Sequence, residues 1–226
     1  MNNMSIENYR FLILLYMDGS GGNHLANILS LSPKINPRFN STNYKLELLE
    51  KYKNSQRTSA HYGEFCGIQD DADPATLDML NDVKYATKPY VLLAGTDVPE
   101  WVYLELKKLG KIGIIQTLPD PLDPIFKFNF QEHQKHEMYI HRFEERKFDN
   151  KLKIQYGYDE FYFDKLRQSN LIKNTDLQNI YNIDIRSLMF KNIDDLLHTF
   201  NIELNLELDV DFVNSIHKIW LLNCFH

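Results

Sequence analysis

Runs of apolar residues alternate along the chain with stretches in which apolar positions recur every three or four residues. A short, continuously apolar run is typical of a strand buried on both faces, and the second pattern is typical of a helix facing a core. The first pattern occurs in four segments, Phe11–Met17, Tyr90–Ala94, Ile112–Thr117 and Tyr181–Ile185. The alternation predicts an α/β fold of three layers, with a mostly parallel central sheet and helices on both faces.

Helices are predicted between these strands from their periodicity and their end signals. Asp73 and Pro74 supply an N-cap followed by a proline at the first helical position, and Pro33 follows the end of the first helix. The predicted helices cover 23–31, 43–53, 73–83, 97–110, 131–147, 192–200 and 210–224. The aromatic-rich segment 150–169 remains ambiguous between helix and strand.

The composition is that of one globular domain spanning residues 1–226. It is 43% hydrophobic and 25% charged, and two distant cysteines exclude a disulfide scaffold. A net charge of −6 argues against broad nucleic-acid binding, although it leaves room for an anionic small ligand. The apolar run at 11–17 is too short to span a membrane and follows a polar start, so we expect no membrane segment or export signal and a cytoplasmic location.

The loop between the first predicted strand and the first predicted helix is rich in glycine. It reads Asp18-Gly19-Ser20-Gly21-Gly22-Asn23-His24. Glycines let backbone N–H groups turn inward, and a helix N-terminus adds unpaired donors and the positive end of its dipole. This layout is typical of a phosphate cradle, with candidate binding residues Gly19, Ser20, Gly21, Gly22, Asn23 and His24.

Two better-defined phosphate motifs are not met in this loop. It lacks the lysine of Gly-x4-Gly-Lys-Ser/Thr, and His24 occupies the last glycine position of Gly-x-Gly-x-x-Gly. A tight strand-to-helix turn without a ligand is therefore the alternative interpretation.

Three stretches in the same order resemble motifs of the P-loop sulfotransferases. Residues Gly19–Leu25 are similar to the family's 5′-phosphosulfate loop, Lys-Ser/Thr-Gly-Thr-Thr/Ser-x-Leu. Leu93–Pro99 looks like the strand end written Lys-Thr-His-Leu-Pro, and Gly113–Asp123 looks like the strand and turn ending Arg-Asn/Asp-Pro-x-Asp. The resemblance covers roughly residues 11–127.

The resemblance implies sulfuryl transfer from 3′-phosphoadenosine 5′-phosphosulfate to a hydroxyl of a sugar or small metabolite, without a metal. Asp97 stands in place of the catalytic histidine, and Lys127 is the candidate contact to the 3′-phosphate. Gly19 replaces the family's lysine and Pro119 its arginine. Two alternatives therefore stay open, a noncatalytic binding or assembly module on the same fold and a P-loop nucleotide or sugar kinase.

Other residues admit both a chemical and a structural interpretation. His61 is a candidate general base, although a lone histidine is more often structural, and Asp97 also suits the N-cap of the helix that follows it. His133, His136 and His141 suggest a metal site, but the charged helix around them favours a solvated face. The sequence leaves the oligomeric state open.

Overall fold

The computed structural model describes residues 5–16, 21–35, 44–54, 74–85, 88–93, 100–117, 180–183, 188 and 193–224. The strands are β1 (Phe11–Tyr16), β2 (Tyr90–Leu93), β3 (Ile112–Thr117) and β4 (Ile180–Ile183). The helices are α1 (Gly22–Ser30), α2 (Tyr44–Asn54), α3 (Pro74–Val83), α4 (Glu100–Leu109), α5 (Ile193–Ile202) and α6 (Val210–Cys224), preceded by a 3-10 turn at Ile6–Asn8.

The four described strands form one parallel sheet in the order β2-β1-β3-β4. β1 is central, and its six residues pair in register with β3 from Phe11 opposite Ile112 to Tyr16 opposite Thr117. All six residues of β1 and all six of β3 are buried, as expected for parallel strands covered on both faces. The predicted α/β class and parallel sheet are confirmed.

Helices pack on both faces of this sheet. Because side chains alternate along a strand, Leu12, Leu14 and Tyr16 face one way and Phe11, Ile13 and Leu15 the other. The even-numbered face packs with residues of α1, α2, α5 and α6, and the odd-numbered face with residues of α3 and α4. The sheet therefore separates two apolar cores, and α1 lies on the same side as α6.

Most predicted elements are found within one or two residues of the expected bounds. The helix predicted at 131–147 and the segment 150–169 lie outside the described residues. In the ranges that the structure describes, no helix combines the length and apolar character required to cross a membrane.

Candidate functional site

The turn that leads into α1 lies at the carboxyl end of β1, beside the end of β3. β1 lies between β2 and β3. The chain therefore places β2 on one side of β1 and then crosses over to place β3 on the other side, which reverses the strand order. In open α/β sheets, ligands bind at the carboxyl ends of the strands where the strand order reverses in this way. The part of the loop that the structure describes, from Gly21 onward, therefore lies where a ligand is most expected in this sheet.

Gly21 is the residue that ends the turn and caps α1. Its φ of 73° and ψ of 16° lie in the left-handed region, which favours glycine. A β-carbon at this position would also lie 2.8 Å from Leu188 Cδ2 and 3.3 Å from a ring carbon of Trp220. The backbone conformation thus favours glycine here, and the contacts with Leu188 and Trp220 leave little room for a β-carbon.

Gly22 is required because the ring of Tyr16 lies directly against it. A β-carbon on Gly22 would lie 1.9 Å from Tyr16 Cγ, far inside van der Waals contact. The Tyr16 hydroxyl donates a hydrogen bond of 2.6 Å to Asn23 Oδ1, which joins the last residue of β1 to the start of α1. That bond fixes the orientation of the Asn23 amide and leaves its Nδ2 group as the side-chain donor.

His24 turns its side chain into the core. The imidazole is 1% exposed, its Nδ1 lies 2.6 Å from the Tyr52 hydroxyl, and its Nε2 lies 3.0 Å from Nδ1 of His217. The ring also stacks on Trp220 with 4.2 Å between centroids and 6° between planes. Both ring nitrogens have partners inside the protein, so an anion at this turn would meet main-chain donors and Asn23 instead of this imidazole.

Burial governs the protonation of this histidine pair. Desolvation, and then the neighbouring His217, lower the pKa of His24 well below its usual value, and desolvation lowers the pKa of His217 to about 4. Both rings are therefore neutral near pH 7. This agrees with their apolar surroundings, since a buried charge without a partner is costly.

A buried amide extends the same polar cluster. Asn27 Nδ2 donates to the Tyr52 hydroxyl at 3.0 Å. Within the described part of the chain, Asn27 Oδ1 and His217 Nε2 are buried atoms with no hydrogen-bond partner. The cluster of Tyr52, Asn27, His24 and His217, which we call the imidazole cluster, thus links α1, α2 and α6.

The structure places four of the nine predicted site residues. Gly21, Gly22 and Asn23 lie together at the turn, and His24 lies beside them with its side chain in the imidazole cluster. The remaining predicted residues, Gly19, Ser20, His61, Asp97 and Lys127, lie outside the described residues.

Four residues at this site were not predicted from the sequence, Tyr16, Asn27, Tyr52 and His217. Tyr16 looks like any other member of an apolar strand, and Tyr52 like a core position of α2. The spacing of His217 and Trp220, three residues apart on one helix, indicates a shared face. It does not indicate that this face meets His24, which precedes His217 by 193 positions.

Neither a known family model nor a curated protein matches the chain. Among the residues that the structure describes, no group of three or more His, Cys, Asp or Glu side chains is arranged to hold a metal ion. The turn before α1 and the motif resemblance are therefore the features that point to a function.

Proposed function

We propose that the chain binds a nucleotide-type anion, carrying phosphate or sulfate, at the turn between β1 and α1. The observation that carries the proposal is the position of this turn, at the carboxyl end of the central strand where the strand order reverses. The first turn of a helix leaves four backbone N–H groups without intrahelical partners, and these groups and the helix dipole favour an anion.

The donor set fits a phosphate or sulfate group through neutral hydrogen bonds. Besides the backbone donors, Asn23 offers Nδ2, because its Oδ1 is held by the Tyr16 hydroxyl. The imidazole of His24 is engaged in the core. We therefore expect weaker binding than at a site in which lysine or arginine contacts the same anion, since charged hydrogen bonds are the stronger ones.

The reaction that we propose is sulfuryl transfer to a hydroxyl of a sugar or small metabolite, on a P-loop-type fold. It is supported by the resemblance of three ordered motifs to those of sulfotransferases. When bound, 3′-phosphoadenosine 5′-phosphosulfate would supply the sulfuryl group. Gly19 to Asn23 would hold its 5′-phosphosulfate, Lys127 would contact its 3′-phosphate, and Asp97 or His61 would accept the proton of the acceptor hydroxyl.

A noncatalytic binding or assembly module is the second candidate, and one observation favours it. Gly21 is favoured by its positive φ, and Gly22 is required by its packing against Tyr16. The glycine turn would therefore persist in a protein that binds no anion at all. A P-loop kinase is a third candidate and is the least supported, since no lysine follows the glycines.

Calorimetric titration of the full chain with 3′-phosphoadenosine 5′-phosphate tests the proposal, with ATP plus magnesium and plain sulfate in parallel. We expect the bisphosphate to bind in the micromolar range, about −8 kcal/mol. Preference for ATP plus magnesium would support the kinase instead. If none of the three ligands binds, the proposal is contradicted and the noncatalytic module becomes the supported candidate.

Asn23→Asp is the variant that tests the location of the anion. A carboxylate keeps the acceptor for the Tyr16 hydroxyl and suits a helix N-terminus, so stability should be retained while anion affinity falls. Gly21→Asp is unsuitable because Gly21 has a positive φ, so the variant would combine backbone strain with the added charge. Asn81→Asp, an exposed position on the opposite side of the sheet, is the control for net charge. Equal affinity in both variants would exclude the turn as the site.

A further inference from the structure

Two neutral histidines join the helix α6 to the start of α1. Nε2 of His24 and Nδ1 of His217 lie 3.0 Å apart, and Trp220 stacks on the His24 ring from the next turn of α6. Trp220 is also one of the side chains that contact the position of a Gly21 β-carbon. The face of α6 formed by His217 and Trp220 therefore holds both the first turn of α1 and the glycine that precedes it.

The hydrogen bond between the two rings needs one donor and one acceptor, because each neutral imidazole carries a single N–H group. Either Nε2 of His24 donates to Nδ1 of His217, or Nδ1 of His217 donates to Nε2 of His24. The Tyr52 hydroxyl, which can donate or accept, lies within hydrogen-bond distance of the other His24 nitrogen, Nδ1.

This hydrogen bond is lost when both rings are protonated. Each imidazolium carries an N–H group on both ring nitrogens, so His24 Nε2–H and His217 Nδ1–H would then face each other across 3.0 Å. Protonation of the pair thus turns a hydrogen bond into a contact between two donors. It also creates a buried positive charge, which is unfavourable without a compensating anion.

The neighbouring elements supply no such anion from the residues that the structure describes. Tyr52 is the titratable group that α2 directs at the pair. The charged groups that α2 and α5 bring to α6 are engaged elsewhere: Lys45 pairs with Asp209 at the surface, and Asp194 accepts from Asn214. Burial lowers the pKa of both rings, and the neighbouring His217 lowers the pKa of His24 further.

We propose that His24 and His217 form a proton-sensitive latch, which holds α6 against the glycine turn before α1 and opens when the pair takes up protons. Opening separates the two rings and lets each imidazolium reach water. It also withdraws Trp220 from Gly21, so the turn loses a side chain that packs against it. The latch is independent of the ligand proposed for the turn, because it follows from the contacts between α1 and α6 alone.

The fluorescence of Trp220 measures the opening of the latch in the full chain carrying Trp101→Phe, because this substitution leaves Trp220 as the one tryptophan. We expect its emission to shift to longer wavelength as pH falls, with a midpoint between about 4 and 6.5, while the far-UV circular dichroism is retained. Loss of dichroism over the same pH range would show ordinary acid unfolding and overturn the proposal. An emission spectrum that is constant down to pH 4 would overturn it as well.

His217→Asn tests whether the histidine pair is the sensor. The amide retains a hydrogen-bonding group near the position of Nδ1 but does not titrate, so opening should take up one proton instead of two. The transition should then be about half as steep against pH. His198→Gln removes an exposed histidine of α5 and should leave the transition unchanged. A transition of the same steepness in His217→Asn would overturn the proposal. If this variant does not fold, the emission titration of the chain with both histidines still tests the proposal.

Discussion

Tyr16 and Gly22 fix the geometry with which the sheet passes into α1. The tyrosine ring occupies the space that any other side chain at position 22 would need, and its hydroxyl binds Asn23. Glycine at this position is therefore selected by a close approach between a strand and a helix, with or without a ligand.

Gly22→Ala should be destabilising because its β-carbon would lie 1.9 Å from Tyr16 Cγ. We expect a loss of about 1–3 kcal/mol or more in the free energy of unfolding, measured by urea denaturation. In a Tyr16→Ala background the same substitution should cost much less, because the obstructing ring is gone. Equal costs in the two backgrounds would show that the contact with Tyr16 is not the cause.

At the scale of single residues, the sequence predicted that candidate binding residues cluster in the loop before α1, but it did not predict the direction of each side chain. The glycine-rich loop and its helix were predictable from glycine, strand and helix signals. His24 was predicted as a donor in the loop, yet its imidazole is directed into the core by Tyr52 and His217. That direction depends on residues distant in sequence, which local patterns do not report.

At the scale of elements, the segment between α5 and α6 is neither helix nor strand, and side chains form hydrogen bonds to its backbone. Leu204, Leu206 and Leu208 are buried there, while the intervening Asn205 and Glu207 have positive φ angles of 56° and 54°. The Leu206 carbonyl accepts from Ser32 Oγ, immediately after α1. This segment is thereby attached to the end of the helix whose beginning carries the candidate site.

Ser32→Ala should remove that attachment and leave a buried carbonyl without its hydroxyl donor. We expect a loss of about 1–3 kcal/mol in the free energy of unfolding. Ser215→Ala is the matched control, because its hydroxyl donates to a carbonyl within the exposed face of α6, and its effect should be within a few tenths of a kcal/mol. Thermal or urea unfolding of the two variants would measure the difference, and similar values would refute the role of Ser32.

Regular elements were the most predictable part of the fold. β3 and α6 have the predicted bounds, because an apolar run and a 3.6-residue period are both local signals. The segment 203–209 was not predicted, since its left-handed residues are Asn and Glu and not the glycines that mark such turns.

At the scale of the molecule, the order β2-β1-β3-β4 places the glycine turn at the reversal of the strand order. The parallel sheet follows from alternating strand and helix signals, but the order of its strands does not, because every strand is a similar apolar run. The same limitation applies to the latch, whose two histidines are separated by 193 positions and meet only through the packing of α6 on α1.

The most direct test of anion binding at the turn is a nuclear magnetic resonance titration of the ¹⁵N-labelled full chain with 3′-phosphoadenosine 5′-phosphate. Anion binding at the start of α1 predicts the largest amide shifts at Gly21, Gly22 and Asn23, because their N–H groups would contact the anion. Amides of α3, on the opposite side of the sheet, should shift least. Saturable shifts centred on another part of the chain, or no shifts at millimolar ligand, would contradict the proposed site.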